Sequence, residues 1–129
     1  MAGERILVID DAPQAREFAA EYVLKPNGFE VMLARDGAEG IRLALHSPPD
    51  LIILDYEMPK MNGLEVLRAL SARNLAIPVI LSTAHGSEAP HWERMLPWWS
   101  RMVSFEGRSS GSSFAAMLSV PFSQPISPT

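Results

Sequence analysis

Asp50-Leu-Ile-Ile-Leu-Asp55-Tyr-Glu-Met-Pro-Lys-Met-Asn-Gly63 is the stretch on which the fold turns. Its first half is an apolar run between two acids, the pattern of a short strand buried on both faces. Its second half is a loop that ends on Asn62-Gly63, after which Leu64, Leu67, Ala69 and Leu70 mark the inner side of a helix reaching about Arg73. Working outward, the same strand-then-helix unit recurs. Arg5-Ile-Leu-Val-Ile-Asp10, Phe29-Glu-Val-Met-Leu-Ala34 and Ile77-Pro-Val-Ile-Leu-Ser82 read as further strands. The second of these alternates Phe29, Val31 and Leu33 with other residues, which suits an edge. Ala15, Phe18, Ala19, Tyr22 and Val23 form the apolar stripe of a first helix, with Pro13 near its first turn and Asn27-Gly28 past its end. Ala38 to Leu45 forms a second helix, closed by Pro48-Pro49. A βαβαβαβ order implies an α/β fold, a doubly wound parallel sheet with helices on both faces and right-handed crossovers. Functional residues in such sheets gather at the carboxyl ends of strands, near the point where strand order reverses.

Composition bounds the chemistry. At 129 residues there is room for one domain, and 47% hydrophobic with 20% charged residues describes a soluble globule. A net charge of -4 gives no sign of nucleic-acid binding or of a basic membrane patch. No stretch nears the roughly 20 apolar residues of a bilayer crossing, and the first residues lack a signal peptide's apolar core. With no cysteine, disulfides, thiolate metal sites and cysteine nucleophiles are excluded. A cytoplasmic location is expected.

The pattern changes after Glu88. Residues 1–88 hold eight basic and thirteen acidic groups and form the expected core of four βα units. Residues 89–129 hold nine Ser, five Pro and all three Trp, but no Lys and no Asp. They read as an atypical Ser/Pro/Trp-rich tail, expected to be poorly ordered with short helical pieces at most, in which Arg108-Ser-Ser-Gly-Ser-Ser113 resembles a linker.

Three carboxylates stand where predicted strands end: Asp10 and Asp11 after the first, Asp55 after the third. If those strands are neighbours, the acids converge, and clustered carboxylates repel unless a cation neutralises them. Hard oxygen ligands without His or Cys favour Mg²⁺, which keeps waters open to a phosphate. Ser82-Thr83 adds a hydroxyl at the end of the fourth strand. A single acid in such a place usually caps a helix or faces solvent; three acids and a hydroxyl at consecutive strand ends favour a site.

Ile6-Leu-Val-Ile-Asp-Asp11, Leu54-Asp-Tyr-Glu-Met-Pro-Lys-Met-Asn-Gly63 and Val79-Ile-Leu-Ser-Thr-Ala84 together resemble the three motifs of response-regulator receiver domains, over about residues 4 to 88. The resemblance implies a flavodoxin-like, CheY-like sheet of order 2-1-3-4-5. It also implies that Asp55 is the phospho-acceptor of a two-component phosphorelay, served by a sensor histidine kinase or phosphotransfer protein. Asp10 and Asp11 then hold Mg²⁺ with the Asp55 carboxylate and the backbone carbonyl of Glu57, Thr83 is the switch hydroxyl, and the small Ala84 leaves access to Asp55. Such transfer depends on positioning and on a cation that spreads charge.

The family also places a Lys-Pro at the end of a fifth strand, and here the only lysines are Lys25 and Lys60. The usual spacing from Thr83 lands near Phe105, and neither Arg101 nor Arg108 replaces an ammonium conservatively. The fifth strand and last helices are therefore expected to be missing or replaced, which leaves the fourth strand as an apolar edge that invites pairing. Met102 to Phe105 and the Trp98-Trp99 pair are candidates to cover it. Arg101 to Gly111 can be reverse-translated so that another frame spells Asp-Gly-Leu-Val-Arg-Arg-Pro-Phe-Glu-Arg, similar to the family's fifth strand. An out-of-frame tail and a naturally replaced last third both remain open.

Other signals are weaker. Gly107-Arg-Ser-Ser-Gly111 matches a nucleophile elbow but has no acid or His after it. Asp55-Tyr-Glu57 is similar to haloacid-dehalogenase-type phosphatases, although those use Asp-x-Asp. His46, His85 and His91 lack ligand spacing, and Trp92, Trp98 and Trp99 suit core or interface anchors. The expectation is thus a stand-alone phospho-accepting receiver that relays to a downstream protein partner. At most it dephosphorylates itself, and it is no conventional enzyme. The alternatives are a switch-defective docking or decoy module and a small aspartyl-phosphate hydrolase.

Overall fold

Four of the apolar runs form parallel strands: β1 (Arg5–Ile9), β2 (Glu30–Ala34), β3 (Leu51–Asp55) and β4 (Val79–Thr83). Their order is β2-β1-β3-β4, so β2 is an outer strand and the order reverses between β1 and β3. The computed structural model describes residues 3–73, 75, 77–83, 100–109 and 112–121, with Thr83 and the last two stretches described as backbone. Among these residues lie α1 (Pro13–Phe18), α2 (Gly37–His46) and α3 (Gly63–Ala72). Beyond Phe18, α1 widens into a π-helical stretch, Ala19–Leu24, and tightens into a 3₁₀ turn, Lys25–Asn27. Gly28 then reverses the chain at φ 86°, a conformation open to a residue without Cβ.

The burial of the strands sorts the helices onto two faces. Leu7 and Ile9 of β1, Ile52 and Leu54 of β3, and Val79 and Leu81 of β4 point one way. They pack with Ile41 and Ala44 of α2 and with Leu64, Val66, Leu67 and Leu70 of α3. Each fully buried Leu or Ile stabilises the fold by about 1.5–3 kcal/mol relative to exposure, so this layer dominates the packing. On the other face Ile6 and Val8 meet Leu24 from the first helical segment, with Phe29, Val31, Leu51 and Ile53 around them. β1 is buried on both faces and sits at the centre of the parallel sheet. This is the flavodoxin-like α/β fold expected from the alternating pattern.

The helices start where the sequence offers caps. Asp36 accepts the Glu39 N–H at 2.8 Å and starts α2. Asn62 and Glu65 form a reciprocal capping box at the start of α3, with bonds of 3.0 and 3.2 Å.

Two expectations need correction. Of the predicted apolar stripe of the first helix, Ala19 packs against the core, while Ala15 is exposed, Phe18 and Tyr22 are 59% and 74% exposed, and Val23 is exposed too. The buried residues are Ala20 and Leu24. Ala15 and Phe18 are exposed already in the α-helical turns, so the inward face is offset from the predicted stripe before the π-helical stretch begins; within that stretch the wider turn spaces the buried Ala20 and Leu24 differently from a 3.6-residue period. Phe18 and Tyr22 instead stack on each other, ring centroids 5.7 Å apart.

The second concerns the tail, where short helical pieces were expected. Its described backbone is β5 (Ser100–Ser109) and β6 (Ser112–Pro121), an antiparallel pair. β6 lies antiparallel against β4, Val79 opposite Ser119 and Thr83 opposite Ala115, and so replaces the family's fifth parallel strand, which was expected to be missing or replaced. Pairing satisfies the backbone edge that β4 would otherwise expose. Met102 to Phe105 lies one strand further out, in β5. The boundary at 88/89, His85, His91 and the three Trp residues lie outside the described residues.

Candidate functional site

Adjacent strands in register carry the acids to one rim. Ile9 of β1 stands opposite Leu54 of β3, so the next residues, Asp10 and Asp55, leave the sheet side by side. Asp11 follows as the chain turns toward α1. Asp10, Asp11 and Asp55 each offer a carboxylate oxygen, and these lie within 4.8 Å of one another.

Asp10 and Asp55 are held by backbone. The Asp10 N–H donates to the Ala34 carbonyl at 3.1 Å, which ties the end of β1 to β2. Its own carboxylate accepts the Ala12 N–H at 2.9 Å, and its carbonyl accepts Nη1 of Arg16 at 2.7 Å. On the other strand, Asp55 Oδ1 accepts the Glu57 N–H at 3.3 Å. The Tyr56 N–H bonds the Ser82 carbonyl at 2.8 Å, so the β3–β4 pairing continues one residue past Asp55. The loop then returns: the Gly63 N–H reaches the Tyr56 carbonyl at 3.0 Å. A Cβ on Gly63 would lie 2.9 Å from the Asp55 carbonyl oxygen and 2.4 Å from Leu81 Cδ1. Only a glycine lets α3 begin this close to the strand that carries Asp55, which gives the last residue of the motif its physical reason.

The electrostatics show charge short of compensation. Burial pushes the Asp55 carboxyl up to about 7, and the neighbouring Asp10, Glu57 and Asp11 carboxylates add to the rise against the Glu57 N–H. Burial also raises Asp10, as does repulsion from Asp11, while the Ala12 N–H and the Arg16 guanidinium pull it down. A cation between these groups would favour all the ionised forms. The donor set fits Mg²⁺. It is all oxygen, from carboxylates within 4.8 Å of one another and without His or Cys among them, the hard donor chemistry that Mg²⁺ takes.

Of the residues singled out by sequence, the structure brings Asp10, Asp11 and Asp55 together and sets Glu57 two residues beyond Asp55 on the same rim. Thr83 closes β4, and its hydroxyl lies outside what is described, as does Ala84. Exposed His46 ends α2, away from the acids in the chain, and Lys60 lies in the loop after Asp55 at φ 70°. Sequence reasoning passed over Arg16. Its link to Asp10 runs to a backbone carbonyl, and no spacing of side chains marks that.

The family model for the response regulator receiver domain matches residues 6–96, well over half of the chain. The chain belongs to that family. The receiver is 41% identical over 83 residues to response regulator MprA of Mycobacterium sp. (strain KMS), covering 64% of this chain and 36% of MprA. It is 36% identical over 85 residues to the alkaline phosphatase synthesis transcriptional regulatory protein PhoP of Bacillus subtilis (strain 168), covering 66% of this chain and 35% of PhoP. The receiver thus spans about a third of the length of these curated relatives. Among solved structures it is similar to chemotaxis protein CheY4 of Vibrio cholerae, with a TM-score of 0.63 and 27% identity over 73% of this chain and 78% of that one. It is similar also to the receiver domain of Francisella response regulator 1452, with a TM-score of 0.62 and 27% identity over 72% and 74% of the two chains. Among the described residues no helix is long and apolar enough to cross a membrane.

Proposed function

We propose that this receiver accepts a phosphoryl group on Asp55 from a phosphohistidine of a sensor histidine kinase or phosphotransfer protein. The observation that carries the reading is the convergence of Asp10, Asp11 and Asp55 at the rim where strand order reverses. A carboxylate oxygen of Asp55 attacks phosphorus, the P–N bond breaks, and the imidazole leaves with the bonding pair. Asp10, Asp11, Asp55 and the backbone carbonyl of Glu57 would hold Mg²⁺, which supplies charge neutralisation for the transferring group. The Glu57 N–H keeps Asp55 oriented, and the strand ladder keeps the acids at fixed spacing. The added charge on Asp55 then biases the rim, with the Thr83 hydroxyl as its partner. A downstream protein partner and a cytoplasmic setting go with this reading.

The test is incubation with acetyl phosphate and Mg²⁺ followed by peptide mass spectrometry. One phosphoryl group on Asp55, abolished by a chelator and by Asp55→Asn, is the expected result. No modification, or modification elsewhere, overturns the reading.

A docking module that binds a kinase and switches poorly is the second reading. It is favoured by the absence of any Lys after Lys60 and by the antiparallel β6 beside β4. Binding of a histidine kinase without labelling of Asp55 would select it.

A further inference from the structure

We propose that Arg16 is a positioning residue of the acidic rim, clasping the backbone carbonyl of Asp10 so that its carboxylate stays turned toward Asp11 and Asp55. The inference rests on the metal-binding reading of those three acids. It starts from an anomaly on α1: Pro13, Gln14, Ala15, Glu17 and Phe18 are all exposed, whereas Arg16 is half-buried. Helical side chains lean toward the amino end of their helix, and this one reaches back over Ala12 to the Asp10 carbonyl. The 2.7 Å bond is among the shorter hydrogen bonds of the rim, and its donor carries a full charge. Among the described residues Arg16 has no carboxylate within 4 Å, so that carbonyl is what its guanidinium is built to hold.

The rest of Asp10 is fixed to match. Its N–H is bound to Ala34 across the sheet, and one carboxylate oxygen is bound by the Ala12 N–H. The Arg16 N–H in turn donates to the Ala12 carbonyl at 3.0 Å, the bond that opens α1. Asp10, Ala12 and Arg16 thus form one short loop of hydrogen bonds, and Arg16 closes it. Without that closure Asp10 keeps the Ala34 bond at its N–H and the Ala12 bond at its carboxylate, but its carbonyl loses its charged donor.

The sign of the effect separates positioning from simple electrostatics. A guanidinium beside a cation site repels the cation, so removing its charge would by itself tighten Mg²⁺ binding. Loss of an orienting partner works the other way, and such losses typically weaken metal affinity 10- to 100-fold. The experiment is calorimetric titration of the full chain, freed of metal, with Mg²⁺ alone, using Arg16→Met and Arg16→Lys. Both variants keep the aliphatic stem and good helix propensity. Arg16→Met is expected to weaken binding about tenfold or more, and Arg16→Lys, which keeps one charged donor, to stay within about threefold of the unmodified chain. The melting temperature without metal is expected to hold in both, whereas a merely structural role would shift it and spare the affinity of the folded protein.

Arg16→Met binding as tightly as the unmodified chain, or more tightly, overturns the assignment of Arg16 alone. A tenfold loss in Arg16→Lys also overturns it, and decides the matter even if Arg16→Met does not fold. An unmodified chain that binds no Mg²⁺ overturns the site reading, and this inference with it.

Discussion

Lys60 occupies the left-handed region at φ 70°, in the loop that leads from Asp55 to α3. An L-residue with a Cβ is strained there by roughly 1 kcal/mol or more, and glycine is not. Lys60→Gly is therefore expected to stabilise the fold by up to about 1 kcal/mol, the strain relief being offset in part by glycine's freedom in the unfolded chain. Lys60→Val should destabilise by about 1–2 kcal/mol, because a branched Cβ tolerates this conformation least. Urea denaturation midpoints check both. At this scale the acids were the legible part. Asp10, Asp11 and Asp55 each follow a readable apolar run, and the end of a run fixes where its next residue emerges. Arg16 was hidden, because a bond to a carbonyl six residues back leaves no trace in side-chain spacing. The strain at Lys60 was equally hidden, since nothing about a lysine announces a positive φ.

Between elements, the junction of β3 and α3 is the tightest near the site. Gly63→Ala would press a methyl group toward the Asp55 carbonyl, the Tyr56 Cα and Leu81. The leucine can turn aside, but the two backbone atoms cannot. A loss of about 1–3 kcal/mol is expected from overpacking, read as a lower urea midpoint. Weaker Mg²⁺ binding should accompany it, because the strained end of β3 is the one that carries Asp55. The four parallel strands and three helices were legible because their apolar periods are strong. The face of the first helix was misread: Ala15 and Phe18 are exposed in its α-helical turns, and beyond them periodicity assumes a uniform turn that the π-helical stretch of Ala19–Leu24 does not keep. The edge of β4 was legible as one that invites pairing, but its partner was not. Met102 to Phe105 lies one strand further out, and β6 runs antiparallel to β4, with Ala115, near its start, beside Thr83.

For the molecule as a whole, the acidic rim ties stability to pH. The Asp55 carboxyl in the fold is raised from 3.8 to about 7, so between those values the folded form keeps a proton that the unfolded chain releases. Unfolding then releases a proton, and stability from this group falls as pH rises through that interval. Metal-free Asp55→Asn should consequently melt higher than the unmodified chain at neutral pH, with the gap closing as pH falls toward 3.8. Mg²⁺ should narrow the gap at neutral pH, since it binds the ionised cluster of the folded form. Thermal melts of the two proteins across this range, with and without Mg²⁺, check the sign. The pairing of Ile9 with Leu54 has a wider consequence. Sliding β1 past β3 by one residue would carry Asp10 about 3.3 Å along the sheet and turn Ile9 to the opposite side. Hydrocarbon thus serves as the gauge that sets the distance between charges, and the rim inherits its tolerances from side chains that never meet water.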